Sequence, residues 1–208
     1  MSDKPFVTVI LLAAGASARM IGPDKLLEQI NGTPLLRRIA VACCDSQVAS
    51  VLVTLPATDQ ARAASLLGLP AQIVPVKDSA RGMSASILAG LAAMDRHSQA
   101  VMLVLADMPD VTTAMLDDLI AAFAAASPDQ ILRAATDTGR PGHPVLFGQR
   151  YFQALQKITG DAGARAVLKA HADKVQLVKT QGDAAVIDLD TSEDWQAYRA
   201  RTAGDDLG

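Results

Sequence analysis

Gly15, Arg19 and Lys25 follow a short apolar run from Val7 to Leu12. An apolar strand that opens into a small-residue loop brings backbone N–H groups close to a ligand. Two cations on such a loop suit a polyanion, most simply the phosphates of a nucleotide. The loop carries neither G-x-x-x-x-G-K-S/T nor G-x-G-x-x-G. The competing reading is an ordinary turn with two surface cations, because Gly and Lys are common loop residues.

Carboxylates form the second group. Asp107 stands just past the apolar run Val101 to Leu105, and in an open α/β sheet ligands sit beyond the carboxyl ends of the strands. A carboxylate there is placed to hold Mg²⁺, which takes one or two carboxylates together with phosphate oxygens and waters. It is equally a turn or capping residue, with Met108-Pro109-Asp110 behind it. Near the end of the chain, Ile187-Asp188-Leu189-Asp190 alternates, and on a strand Asp188 and Asp190 share one face. They make a second candidate pair of metal carboxylates. Thr191 or Ser192 would cap the helix that follows, with Glu193 and Asp194 complementing its dipole.

Two further segments have polar chemistry. Arg81-Gly82-Met83-Ser84-Ala85-Ser86 opens a helix, where free backbone N–H groups line a base or hold an anion, unless Ser84 is simply its N-cap. Gly139-Arg140-Pro141-Gly142-His143-Pro144 is a rigid polar turn in which His143 either contacts substrate or makes a structural hydrogen bond. His97 and His171 fall at helix ends, and no Ser-His-Asp or Cys-His arrangement exists.

Short apolar runs alternating with amphipathic stretches position these groups. Strands are expected at 7–12, 51–55, 72–76 and 101–105, and helices at 34–45, 56–67, 84–94 and 112–126. This β-α-β-α order implies an α/β fold, a mainly parallel sheet with helices on both faces. Beyond Ser127 the pattern loosens. Strands at 130–134 and 143–147 flank the Gly/Pro turn, helices are expected at 151–158 and 162–171, short strands at 175–178 and 185–189, and a final helix at 193–201.

The 208 residues suit one domain spanning 1–208. Half are hydrophobic but only 3% aromatic, so the core is aliphatic. A net charge of −3 with no basic run argues against nucleic acid as a partner. Cys43 and Cys44 are adjacent, which suits neither a structural disulfide nor metal spacing. Helix packing in a reducing cytosol is their expected setting. The polar start and the shortness of the apolar run after it predict neither a signal peptide nor a membrane span, so the expected location is cytoplasmic.

In order, these segments resemble a known family. Leu12-Ala13-Ala14-Gly15-x-Ser17-x-Arg19-Met20 and Asp24-Lys25-Leu26-Leu27 look like the signature of nucleotidyltransferases acting on the molybdenum cofactor. Arg81-Gly82-Met83-Ser84-x-Ser86, Asp107-Met108-Pro109, Gly142-His143-Pro144, Gly160-Asp161-x-Gly163-Ala164-Arg165 and Asp188-Leu189-Asp190-Thr191 continue the likeness from about residue 7 to 195. The Gly-His-Pro and Gly-Asp-x-Gly-Ala-Arg segments are similar to the cytidylyltransferase branch.

The resemblance implies a Rossmann-like α/β/α fold of the nucleotide-diphospho-sugar transferase type. It also implies a Mg²⁺-dependent reaction in which the terminal phosphate of molybdopterin attacks the α-phosphorus of CTP. The products would be molybdopterin cytosine dinucleotide and pyrophosphate. By that likeness Leu12, Ala13, Ala14 and Gly15 form the nucleotide loop, and Arg19 and Lys25 balance the triphosphate. Asp107, with Asp188 or Asp190, holds Mg²⁺. Arg81, Gly82, Ser84 and Ser86 belong to the nucleotide side, the two serines lining the base pocket, and Arg140 and His143 lie on the pterin side. The implied downstream partner is a molybdenum hydroxylase or its chaperone.

The sequence departs from the family pattern at Ile21, where Gly is usual. The length of the loop from Arg19 to Lys25, Asp24 and Met108 look like the guanylyltransferase branch, so GTP is the alternative donor; Ala14 and the Gly-His-Pro segment favour CTP. Another acceptor, or a non-catalytic carrier of the cofactor, are the remaining alternatives.

Overall fold

The structure is a computed structural model that describes residues 5–15 and 24–205. Arg19, with the rest of 16–23, lies outside the described residues.

In chain order the elements are β1 (Val7–Leu12), β2 (Gln29–Ile30), β3 (Thr33–Pro34), α1 (Leu35–Cys44), β4 (Ser50–Pro56), α2 (Gln60–Ser65), β5 (Gln72–Val76), α3 (Met83–Ala93), β6 (Ala100–Leu105), α4 (Thr113–Ala125), β7 (Ile131–Ala135), β8 (Pro141–Gly148), α5 (Phe152–Leu155), α6 (Arg165–Ala170), β9 (Val175–Lys179) and α7 (Ser192–Asp205). One seven-stranded sheet runs β5-β4-β1-β6-β8-β7-β9. The pairs β5/β4, β4/β1 and β1/β6 are parallel. β8 is antiparallel to both β6 and β7, and β7 pairs parallel with β9.

The continuous apolar runs are explained by burial on both faces of this sheet. In β1, Val7, Val9 and Leu11 enter one core with α1, α4 and α7, while Ile10 enters the other with α3 and α5. β6 divides in the same way: Ala100, Met102 and Val104 point to one side, Val101 and Leu103 to the other. Cys43 is buried in α1 as a packing residue, and Cys44 is free and half-buried. Among the described residues, no helix is long and apolar enough to cross a membrane.

Several elements depart from expectation. The short antiparallel pair β2–β3 falls where no strand is expected, and the helix expected at 151–158 shortens to α5. The helix expected at 56–67 contracts to α2, because Asp59 accepts a hydrogen bond from the Arg62 N–H and so caps it later. Residues 185–189 do not form a strand. Residues 182–186 form turns, and the chain then runs without ladder partners. This segment is nevertheless sewn to the sheet. Ala185 O accepts from the His143 N–H at 2.8 Å, and the Leu189 N–H donates to Asp107 O at 2.9 Å.

The crossover from β1 goes to β4 and β5 on one side, and β6 lies on the other. The carboxyl ends of β1 and β6 therefore frame a crevice at the point where strand order reverses, the usual ligand position in open α/β sheets.

Candidate active site

A cleft of about 670 Å³ opens at this crevice. Leu12, Ala13, Ala14 and Gly15 line it from the end of β1, Asp107 from the end of β6, and Asp188 and Asp190 from the docked segment. Gly82, Met83 and Ser86 line it from the start of α3, and Asp161 and Arg165 from the loop before α6 and its first residue.

Lys25 ties the acidic groups together. Its ammonium donates to Asp107 Oδ2 at 2.7 Å and to Asp190 Oδ1 at 2.5 Å, and its side chain is only 11% exposed. Burial works against the ammonium charge, but the two carboxylates outweigh it and the Lys25 pKa is raised. Asp188 stands beside them. Burial, then the negative charges of Asp107 and Asp190, raise its pKa. Asp107 lies 81 residues before Asp188, and the three carboxylates converge because Asp107 O accepts the Leu189 N–H. Leu189 is buried in the core, so Asp188 and Asp190 on either side of it both face the cleft. The alternation survives without a strand.

Sequence reading gave Arg62 no role. This arginine is 4% exposed and lies at the base of the β1 loop. Its Nη1 donates to Ala13 O at 2.6 Å and Gly15 O at 3.1 Å. Its Nε and Nη2 grip the Asp24 carboxylate at 2.5 and 2.9 Å, and Asp59 lies 3.1 Å from Nε. One guanidinium thus fastens the residues on both sides of 16–23. A planar five-donor fork can do this and an ammonium cannot. A lone Arg in an Ala-rich helix gives no sequence signal of such a role.

Gly82 explains the start of α3. Its φ is +87°, and a Cβ there would lie 1.9 Å from Asp161 Oδ1. Only glycine lets the 160–165 loop lie this close. Gly82 occupies the cap position, so Ser84 is not the N-cap. Ser84 is buried, its N–H donating to Gly160 O at 3.2 Å, and it does not line the cleft, whereas Ser86 does. Arg81 turns outward, 76% exposed, toward Asp78. Arg140 is exposed and lines neither this cleft nor the cavity beside it; its N–H donates to Thr136 Oγ1. Thr191 caps α7, its Oγ1 accepting from the Asp194 N–H while Asp194 Oδ2 accepts from the Thr191 N–H.

His143 faces a second cavity of about 500 Å³, which shares Leu12, Met83, Asp161 and Arg165 with the first. Its Nδ1 is enclosed and has no hydrogen-bond partner. Burial, then the nearby Arg133 charge, holds its pKa down to about 4. Arg133 lines the same cavity, its Nε donating to Gly142 O at 2.9 Å. Sequence reading gave no role to Arg133, an isolated arginine with no spacing signal, and named Arg165 only within the Gly160-Asp161-x-Gly163-Ala164-Arg165 segment of the family resemblance.

Chemically, the larger cleft offers backbone at the end of β1, a cation shared by two carboxylates, and a third carboxylate alongside. A phosphate chain and a divalent cation are the ligands such a set suits. The MobA-like NTP transferase domain model matches residues 9–175. The chain is 30% identical to nicotine blue oxidoreductase of Paenarthrobacter nicotinovorans, over 95% of this chain and 98% of that protein. It is 35% identical to a molybdenum cofactor guanylyltransferase of Burkholderia vietnamiensis, over 69% of each. Among solved structures, a homologue of Mycobacterium tuberculosis Rv0371c from Mycobacterium sp. strain JC1 superposes with a TM-score of 0.79 at 27% identity, covering 95% of this chain and 96% of that one.

Proposed function

We propose that this chain, which belongs to the MobA-like NTP transferase domain family, transfers a nucleotidyl group from a nucleoside triphosphate to a molybdopterin-type acceptor. The observation that carries this reading is the convergence of Lys25, Asp107 and Asp190 at the mouth of the β1 loop. In such a transfer an acceptor phosphate oxygen bonds to the α-phosphorus while the bond to the β-phosphate oxygen breaks. The electron pair leaves with pyrophosphate. The protein's share is positioning and charge balance, with little covalent work.

The donor set fits a magnesium ion. Asp107 and Asp190 already converge on one cationic nitrogen, and Mg²⁺ needs only one or two carboxylates when phosphates and waters supply the rest. Asp107, with Asp190 or Asp188, would hold it; when bound, it neutralises charge on the reacting phosphates. The backbone of Ala13 to Gly15 approaches the phosphates, and Lys25 balances their charge from the same cleft. Ser86 lines the base side, and Arg19 joins Lys25 in charge balance by resemblance alone.

CTP is the proposed donor and GTP the alternative. Two of the features shared with the guanylyl branch have structural work here. The Asp24 carboxylate is taken up by Arg62 and by the Leu26 N–H. Met108 is buried in the core and does not line the cleft. Ala14, the cytidylyl-like residue, does line it. These placements support CTP, while the guanylyltransferase relative keeps GTP in view.

The test is pyrophosphate release from CTP and from GTP, with molybdopterin present or omitted. Release only when acceptor and CTP are both present is expected, with a loss of at least ~100-fold in Asp107→Asn. Release from GTP but not CTP overturns the donor assignment. Absence of release with either nucleotide, together with cofactor binding that survives Asp107→Asn, makes the protein a carrier and ends the transferase reading. A second reading, redox chemistry, is favoured by the full-length likeness to a protein named as an oxidoreductase. It predicts consumption of a reduced nicotinamide dinucleotide without pyrophosphate release.

A further inference from the structure

Lys25 holds the two carboxylates that a metal would need. Its ammonium donates to Asp107 Oδ2 at 2.7 Å and to Asp190 Oδ1 at 2.5 Å, and these are the acids whose donor set fits Mg²⁺. Lys25 is the deeper member, 11% exposed against 24% for Asp107 and 28% for Asp190. The backbone around the three is fixed. Asp107 O accepts the Leu189 N–H, and Asp194 Oδ2 accepts the Asp190 N–H at 3.2 Å. Behind Lys25, Asp24 O accepts from the Leu27 and Glu28 N–H groups, and Arg62 grips the Asp24 carboxylate. The part left to move is the four-carbon stem of Lys25, which carries its charge as a compact point at the tip.

An ammonium between two carboxylates cancels half of their charge. A divalent ion that joined them with the ammonium still in place would meet its repulsion at close range in a partly buried site. A triphosphate changes this balance, because Lys25 and the Ala13 to Gly15 backbone line the same cleft. Its oxygens compete for the ammonium, and each ammonium drawn to phosphate returns Asp107 and Asp190 to full charge. We propose that Lys25 is the site's exchange cation: it occupies Asp107 and Asp190 until a triphosphate draws it off, so a divalent ion binds this protein weakly alone and tightly only with the triphosphate. The inference rests on the nucleotidyl-transfer reading and adds to it how the site is loaded. By linkage, the ion then tightens the triphosphate by the same factor.

The experiment uses the full chain without nucleotide and Mn²⁺ as the probe, its free ion counted by electron paramagnetic resonance. Lys25→Met should bind Mn²⁺ about tenfold or more tightly than the parent, because the competing charge is gone. Lys25→Arg keeps a cation there and should stay within about threefold of the parent. In chelator, Lys25→Met should melt below the parent, with its carboxylates left facing one another, and Mn²⁺ should raise its Tm more than the parent's. Equal or weaker Mn²⁺ binding in Lys25→Met, or an equal rise in Tm, overturns the exchange. Should Lys25→Met not fold, the parent decides alone. In NMR of ¹³C-lysine-labelled protein, the Lys25 Cε resonance, assigned by its absence from Lys25→Arg, should shift with metal-free CTP or GTP while that of exposed Lys157 stays put. A Lys25 resonance that neither triphosphate moves overturns the exchange. If Mn²⁺ tightens in Lys25→Met and metal-free triphosphate shifts Lys25, yet no pyrophosphate is released with the acceptor, nucleotidyl transfer falls and the exchange stands. If pyrophosphate is released but Mn²⁺ binds the parent and Lys25→Met equally, the exchange falls alone.

Discussion

Replacing Arg62 with alanine should loosen the β1 loop at both ends at once. The substitution removes the partner of two carbonyls, Ala13 O and Gly15 O, and of the Asp24 carboxylate. Each carbonyl that loses its guanidinium donor costs on the order of 1 kcal/mol net. Breaking a buried ion pair by deleting one partner costs about 3–5 kcal/mol. Asp24 and Asp59 are each roughly a fifth exposed, so both carboxylates regain water and the ion-pair share falls below that range. Allowing for this, the total is about 3 kcal/mol. For a chain of this length, each kcal/mol lowers Tm by about 2–4 °C, so a fall of roughly 6–12 °C is expected. Arg62→Lys keeps the charge but not the fork, and should lose about half as much.

Because Ala13 and Gly15, two of the fastened residues, line the cleft, KM for the nucleoside triphosphate should rise with the loss of stability. The assay that isolates the clamp is a double-mutant cycle of Arg62→Ala with Asp24→Ala, read by denaturant unfolding. A coupling energy of about 1.5 kcal/mol or more is expected for directly paired groups. A coupling near zero, or a parent-like Tm and KM in Arg62→Ala, would refute the clamp.

Two further outcomes follow from the region around Gly142. A Cβ on residue 142 would sit 1.8 Å from Ala185 O, so Gly142→Ala must push the 185–190 segment away. It should cost about 1–3 kcal/mol and depress pyrophosphate release by moving Asp188 and Asp190; unchanged Tm and turnover would contradict the docking. His143 is held neutral in the fold, with its pKa at about 4 against 6.5 in the unfolded chain. The unfolded state therefore binds the extra proton first as pH falls. His143 contributes no penalty above pH 6.5, and destabilises progressively from 6.5 down to about 4, by at most about 3 kcal/mol. Between pH 7 and 4 the parent should lose stability relative to His143→Gln in thermal melts, by at most about 3 kcal/mol. Parallel curves would show that the imidazole charges freely in the fold.

Much of the sheet was legible because its signal is local. Runs such as Val7–Leu12 and Ala100–Leu105 are buried on both faces, and continuous apolar stretches between turn residues report that directly. The Ala185–Leu189 run misled because an apolar stretch states that side chains are buried but not that the backbone has a ladder partner. Its hydrogen bonds go instead to His143 and Asp107. Ser84 misled for a related reason. A serine near a helix start fits a cap, but the close approach of Asp161 required glycine at the cap position, and that contact is 79 residues away in sequence.

The sequence alone determined the order of the main strands and helices from β1 to α4, the small-residue loop after β1 and the acidic groups beyond the strand ends, since each depends on neighbours within a few residues. Only the tertiary structure decided that Lys25 bridges Asp107 and Asp190, that Arg62 closes the loop base, and that His143 meets Arg133 and Arg165 around one cavity. Those contacts join side chains on elements distant in the chain. Their energies depend on separation in space and on exclusion of water, and neither quantity is written in residue spacing.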